Sequence, residues 1–146
     1  MPIIGIGLTR MEAKKIEEIK GAVRVNSGMN ITDIKELSLP AFKAKGLSIE
    51  FEYRTKYLDD KTEKNIAEIN IDGNVIFVGD ENEKILKEWK KDKSIADDVK
   101  FEVIRVVSDK CSKKAILLSD DLQLPPPPLM LPQAFKQEKT ETKPSK

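Results

Sequence analysis

No histidine occurs anywhere in the 146 residues. Imidazole is the commonest general base and the commonest metal ligand, so its absence excludes imidazole-based hydrolytic triads and most zinc sites. Any chemistry would fall to carboxylates, lysines, tyrosines or one thiol. Cysteine is nearly missing as well. Cys111 stands alone, no intramolecular disulfide can form, and the bridges that hold many small secreted domains together are excluded. No stretch approaches the roughly 20 apolar residues needed to cross a bilayer. The apolar N-terminal run Ile3-Ile4-Gly5-Ile6-Gly7-Leu8 has no basic region before it and soon meets Arg10, unlike a signal peptide. A cytoplasmic protein without a membrane span is expected. An excess of one charge is also lacking: 26 Lys+Arg stand against 25 Asp+Glu, a net charge of +1. Nucleic-acid binders concentrate basic charge to neutralise phosphates, so nucleic acid is not expected as a direct partner.

What the chain does have is patterning. From Leu47 to Tyr57, Leu47, Ile49, Phe51, Tyr53, Thr55 and Tyr57 alternate with Ser48, Glu50, Glu52, Arg54 and Lys56. A period of two predicts an antiparallel strand with one face on a core and one in water. Asp59-Asp60-Lys61 turns the chain. A second strand is expected from about Asn65 to Val78, with Ala67, Ile69 and Ile71 on one face and a bulge, bend or hairpin turn at Asp72-Gly73-Asn74. Weaker strand candidates precede these at Ile3–Lys14, Gly21–Asn26 and Asn30–Leu37, and Leu39–Gly46 reads as a connecting loop.

After Gly79 the period lengthens. Ile85, Leu86 and Trp89 are three and four apart, as on a helix with one apolar stripe, and Asp80 offers an N-cap. A second helix is predicted from Ser94, with Asp97 completing a capping box and Val99, Val103, Val106 and Val107 on one face. The same valines also fit a strand, but the length and cap signals favour the helix. The tail opens at Asp120 and runs into Leu124-Pro125-Pro126-Pro127-Pro128. Four consecutive prolines impose polyproline II. The segment could be displayed as a ligand, or fold back so that Leu122, Leu124, Leu129, Met130 and Leu131 cover apolar surface; the leucines favour folding back. Residues 133–146, rich in Lys, Glu and Thr, are expected to be a disordered charged tail after a single domain spanning 1–132.

Motifs that could signal catalysis have plainer readings. Gly5-Ile6-Gly7 lacks the third glycine of a dinucleotide fingerprint, with Arg10 in its place. The pairs Asp59-Asp60, Asp97-Asp98 and Asp120-Asp121 sit at turns and helix ends, where aspartate caps and turns the backbone, and none has calcium-loop spacing. Cys111 lies on the apolar helix stripe, as a small buried hydrophobe would. No catalytic residue, metal or cofactor is expected.

Strands first and helices after make an α+β protein. The sequence Ala67-Glu68-Ile69-Asn70-Ile71-Asp72-Gly73-Asn74-Val75-Ile76-Phe77 resembles the bent strand of the protein-export chaperone SecB family. Leu122-Gln123-Leu124-Pro125-Pro126 is similar to the Leu-x-Leu-x-Pro stretch that follows that family's second helix. Residues 81–146 also resemble a set of archaeal proteins that end in a leucine run and a Leu-Pro-Pro-Pro tail. The resemblance implies a four-stranded antiparallel sheet packed against two C-terminal helices, a homo-oligomer (dimer or tetramer) and grooves that hold unfolded polypeptide without ATP. It places Ala67, Ile69 and Ile71 near the subunit interface and groove. An apolar face carrying Phe51, Tyr53, Tyr57, Ile76 and Phe77 could supply the binding surface, or simply form the core. The family's strongly acidic surface has no counterpart here, so docking to an export motor does not follow. The alternative is a non-catalytic subunit of a larger assembly, such as a ribosome-associated or ribonucleoprotein factor, reached by its charged tail.

Overall fold

The computed structural model describes residues 3–128, so the expected charged tail and Leu129–Leu131 lie outside the described residues. Four strands, β1 (Ile3–Lys15), β2 (Val23–Leu39), β3 (Ala44–Asp59) and β4 (Asn65–Phe77), precede two helices, α1 (Asn82–Asp92) and α2 (Asp97–Asp121). The strands form one antiparallel sheet in the order β1-β4-β3-β2. The chain therefore leaves one edge of the sheet after β1 and re-enters at the other as β2. The link is tied across the sheet end where Ile16 and Glu17 donate backbone hydrogens to Ile66 O and Asp60 donates to Ala22 O.

The alternation in β3 does what its pattern requires. Leu47, Ile49, Phe51, Tyr53, Thr55 and Tyr57 are buried on the helix-covered face, while Glu50, Glu52, Arg54 and Lys56 reach the other. β4 continues the same layer with Ala67, Ile69, Ile71, Val75 and Phe77. Helix α2 lies over β4 and β1, and α1 over β2 and β3. Val99, Val103 and Val107 bury one stripe of α2, and farther along the helix Ser108, Cys111, Ser112, Ala115 and Ser119 keep the buried stripe small, which suits close approach to the sheet's tyrosines.

Several boundaries differ from the sequence expectations. β2 is one continuous strand, because Ser27 pairs with Thr55 and their hydroxyls hydrogen-bond at 2.8 Å, carrying the strand through a polar stretch. Its irregularity falls between Ile31 and Asp33, and the extra residue returns Ile34 to the core face. β4 runs unbroken through Gly73; the bulge is in its partner, between Leu8 and Arg10. The glycine is required by proximity. A Cβ there would stand 2.2 Å from the carbonyl oxygen of Gly7. Helix α2 begins at Asp97 and runs to Asp121. Ser94 does not cap it, since its hydroxyl donates to Asp92 Oδ1 at 2.5 Å. Nor does Asp80 cap α1, whose N-cap is Glu81 without a side-chain bond.

The C-terminus of α2 closes with Gln123 in the left-handed region and Leu124 N–H donating to Ser119 O at 2.8 Å, a Schellman arrangement. Leu124 is buried, and Tyr57 Oη donates to Pro125 O at 2.6 Å. The opening of the proline run thus lies against the body of the domain.

Candidate functional site

Of the residues expected to touch a polypeptide or a second subunit, Phe51, Tyr53, Ala67, Ile69, Ile71 and Phe77 are all at most 4% exposed, beneath the helices. The fold brings them together as core. Ile76 is half-buried on the opposite face, paired with Ser48 and Gly5. Within one protomer, an incoming chain meets none of the six buried side chains.

The open apolar surface lies beside them. Met29 and Ile31 of edge strand β2, Trp89 of α1, Ile95 of the inter-helix link and Ile104 of α2 line a groove of about 550 Å³. That volume falls within the range of sites that enclose a ligand, about 300–1,000 Å³. Each element is held in position by a local feature. Trp89 donates its indole hydrogen to Asp33 Oδ1 at 3.3 Å, and the same oxygen accepts from Ile34 N–H at 2.8 Å. Lys93 ends α1 with φ 59°, in the left-handed region, and its N–H donates to Trp89 O at 2.8 Å. The Lys93 ammonium then sits 5.2 Å from the Trp89 ring centroid, within cation–π range. Lys100 adds a second cation to the lining. Among the described residues the outer side of β2 has no strand neighbour, which leaves its outward backbone groups open to pairing.

A second concavity, of about 440 Å³, lies on the polar face of the sheet around Gly73. Its charges are already matched. Arg54 donates to Asp72 and Glu52, both at 2.8 Å, and Arg10 donates to Asp72 at 2.9 Å. Burial alone would raise the Asp72 carboxyl, but hydrogen bonds from Arg54 and Arg10 hold it below its usual range. Little charge is left there for a ligand.

Among the described residues no group of three or more His, Cys, Asp or Glu side chains could hold a metal ion. Cys111 is fully buried, and burial pushes its thiol up to about 12, so at neutral pH it is not the thiolate that nucleophilic chemistry needs. Among the described residues no helix is long and apolar enough to cross a membrane. The groove is not legible in the sequence because its walls come from two stretches far apart in the chain, 29–31 and 89–104. The one available signal was Trp89, the chain's single tryptophan, on a short helix rich in lysine.

No family model matches the sequence, and no curated protein matches it. Among solved structures, the fold is similar to a SecB-like chaperone from Mycobacterium tuberculosis in complex with a ChAD peptide from the HigA1 antitoxin, with a TM-score of 0.60 and 14% identity over 88% of each chain. The four-stranded antiparallel sheet with its two helices is thus a SecB-like α+β fold.

Proposed function

We propose that this protein is an ATP-independent holdase that takes extended, non-native polypeptide into the groove between β2 and the two helices. The observation that carries the reading is the open strand edge beside an apolar trough. Backbone pairing along β2 would give affinity indifferent to sequence, and the trough bounded by Met29, Ile31, Trp89 and Ile104 would accept apolar side chains. The peptide-bound chaperone of like fold supports binding of polypeptide partners. No nucleotide, metal or catalytic group enters the mechanism. The core residues Phe51, Tyr53, Ala67, Ile69, Ile71 and Phe77 act indirectly, as the layer on which the groove walls rest.

We also propose that the working form is a homo-oligomer joined through β1. Ile4, Met11 and Ile16, on or just beyond that edge strand, are 47%, 49% and 48% exposed, and Leu117 on α2, which packs near β1, is 61% exposed. Isolated apolar side chains on a surface are ordinary, but three along one unpaired edge suit pairing with a second copy.

Light scattering of a chemically unfolded model protein diluted into nucleotide-free buffer tests the holdase reading. Suppressed aggregation at a near-stoichiometric ratio is expected, and an Ile31→Asp/Ile104→Asp variant with a native circular dichroism spectrum should lose it. No suppression at several-fold excess would sink the reading.

A further inference from the structure

The groove's charges point to which polypeptide segments it takes. Lys93 and Lys100 are both exposed groove-lining residues, and no carboxylate is among the lining groups. Most cations of the sheet are engaged: Arg10, Arg54, Lys14, Lys35 and Arg24 all pair with acids. Among the described residues neither Lys93 nor Lys100 makes an ion pair, although Lys93 rests over the Trp89 ring. Of the acids near them in sequence, Asp92 accepts from the Ser94 hydroxyl at 2.5 Å and Asp98 accepts from Val99 N–H at 2.9 Å; Asp33, on β2, holds Trp89. An apolar floor with two lysines lacking carboxylate partners at its margin is complementary to one chemistry in particular.

We propose that, as a holdase, the protein selects extended segments in which an apolar residue seated in the groove is flanked by aspartate or glutamate, the flanking carboxylates pairing with Lys93 and Lys100. The inference rests on the holdase reading and names its substrate class. The Lys93 ammonium is held near the tryptophan by the left-handed cap and the ring, so a flanking carboxylate could meet a partially ordered charge. Segments flanked by lysine or arginine would instead bring like charges together. Such discrimination by charge works through repulsion of the wrong sequence as much as attraction of the right one. An exposed ion pair is worth about two- to fivefold in affinity at best, and two of them set the expected scale.

The test uses two fluorescently labelled, tryptophan-free peptides with one shared apolar core, flanked in one by glutamates and in the other by lysines. Anisotropy titrations of the full chain at low ionic strength should show the glutamate peptide binding about five- to tenfold tighter, with the gap closing in about 1 M salt, where the Debye length falls to about 3 Å. A Lys93→Glu/Lys100→Glu variant should reverse the preference. Equal binding of both peptides, tighter binding of the lysine peptide, or a preference untouched by the double reversal would overturn the proposal and leave the holdase reading standing. Failure of both peptides to bind would overturn the two together.

Discussion

Trp89 Nε1 donates to Asp33 Oδ1 across 3.3 Å, so the chain's single tryptophan links α1 to the free edge strand β2. The bond holds two walls of the groove at a fixed separation, and Asp33 serves it twice by also accepting from Ile34 N–H. Truncation should therefore affect both the wall and the strand. Asp33→Ala is expected to destabilise the domain by about 1–2 kcal/mol in urea unfolding and to alter Trp89 emission in the folded state. Asp33→Asn, which retains an acceptor oxygen, should recover most of both.

The hydroxyl of Tyr57 is similarly placed between elements, bonding Pro125 O at 2.6 Å. Tyr57→Phe should cost about 1 kcal/mol. Burial also pushes the Tyr57 phenol from 10.0 up to about 12, and the Cys111 thiol from 9.0 up to about 12. Both groups are raised in the folded chain. Their contribution is fully present below the unfolded values, near pH 9 to 10, and is lost as pH climbs towards about 12. Urea midpoints measured from pH 8 to 12 should fall over that window, and fall less in a Tyr57→Phe/Cys111→Ala double variant. Equal falls in the two proteins would contradict the burial of these groups.

Gly73 has no room for a side chain. Its added Cβ would stand 2.2 Å from Gly7 O and 3.0 Å from Leu8 Cα, both backbone atoms that cannot rotate away. Gly73→Ala should cost about 3 kcal/mol or prevent folding. Gly28→Ala, where nothing lies within 4 Å, should change stability by less than about 0.5 kcal/mol. Thermal melts of the two variants check the contrast.

The β1 edge makes a separable prediction. Met11 is 49% exposed, and among the described residues no strand lies on its outer side. Light scattering coupled to gel filtration should give a mass that is a multiple of 16.5 kDa, and Met11→Lys should lower it towards one chain without lowering helix content. A monomeric native protein would remove the edge-pairing proposal.

How much was legible in advance follows from where the determinants sit. β3 could be read almost residue by residue, because alternation is a local property and one of its faces is buried. The local pattern of β2 reads as two short strands, Gly21–Asn26 and Asn30–Leu37, while what carries the strand across Ser27 is a hydroxyl pair with Thr55 on the neighbouring strand, which no local window contains. Capping preference points to Ser94 as the start of α2, yet Lys93 in the left-handed region and the Ser94–Asp92 bond commit that stretch to ending α1. Apolar character points to Phe51, Tyr53 and Phe77 as binding residues, and the resemblance to a bent strand points to Ala67, Ile69 and Ile71, but apolar character is also what buries all six under the helices. The groove depends on Met29, Trp89 and Ile104 meeting, a matter of topology and not of any segment's composition.

Trp89 emission during titration with an unfolded, tryptophan-free polypeptide is the most direct measurement, because the single indole lines the groove. A saturable change in intensity or wavelength, matching in midpoint the concentration that suppresses aggregation and absent in Ile31→Asp/Ile104→Asp, is the expected result. Suppressed aggregation with Trp89 emission unmoved would contradict the groove as the site where polypeptide is held.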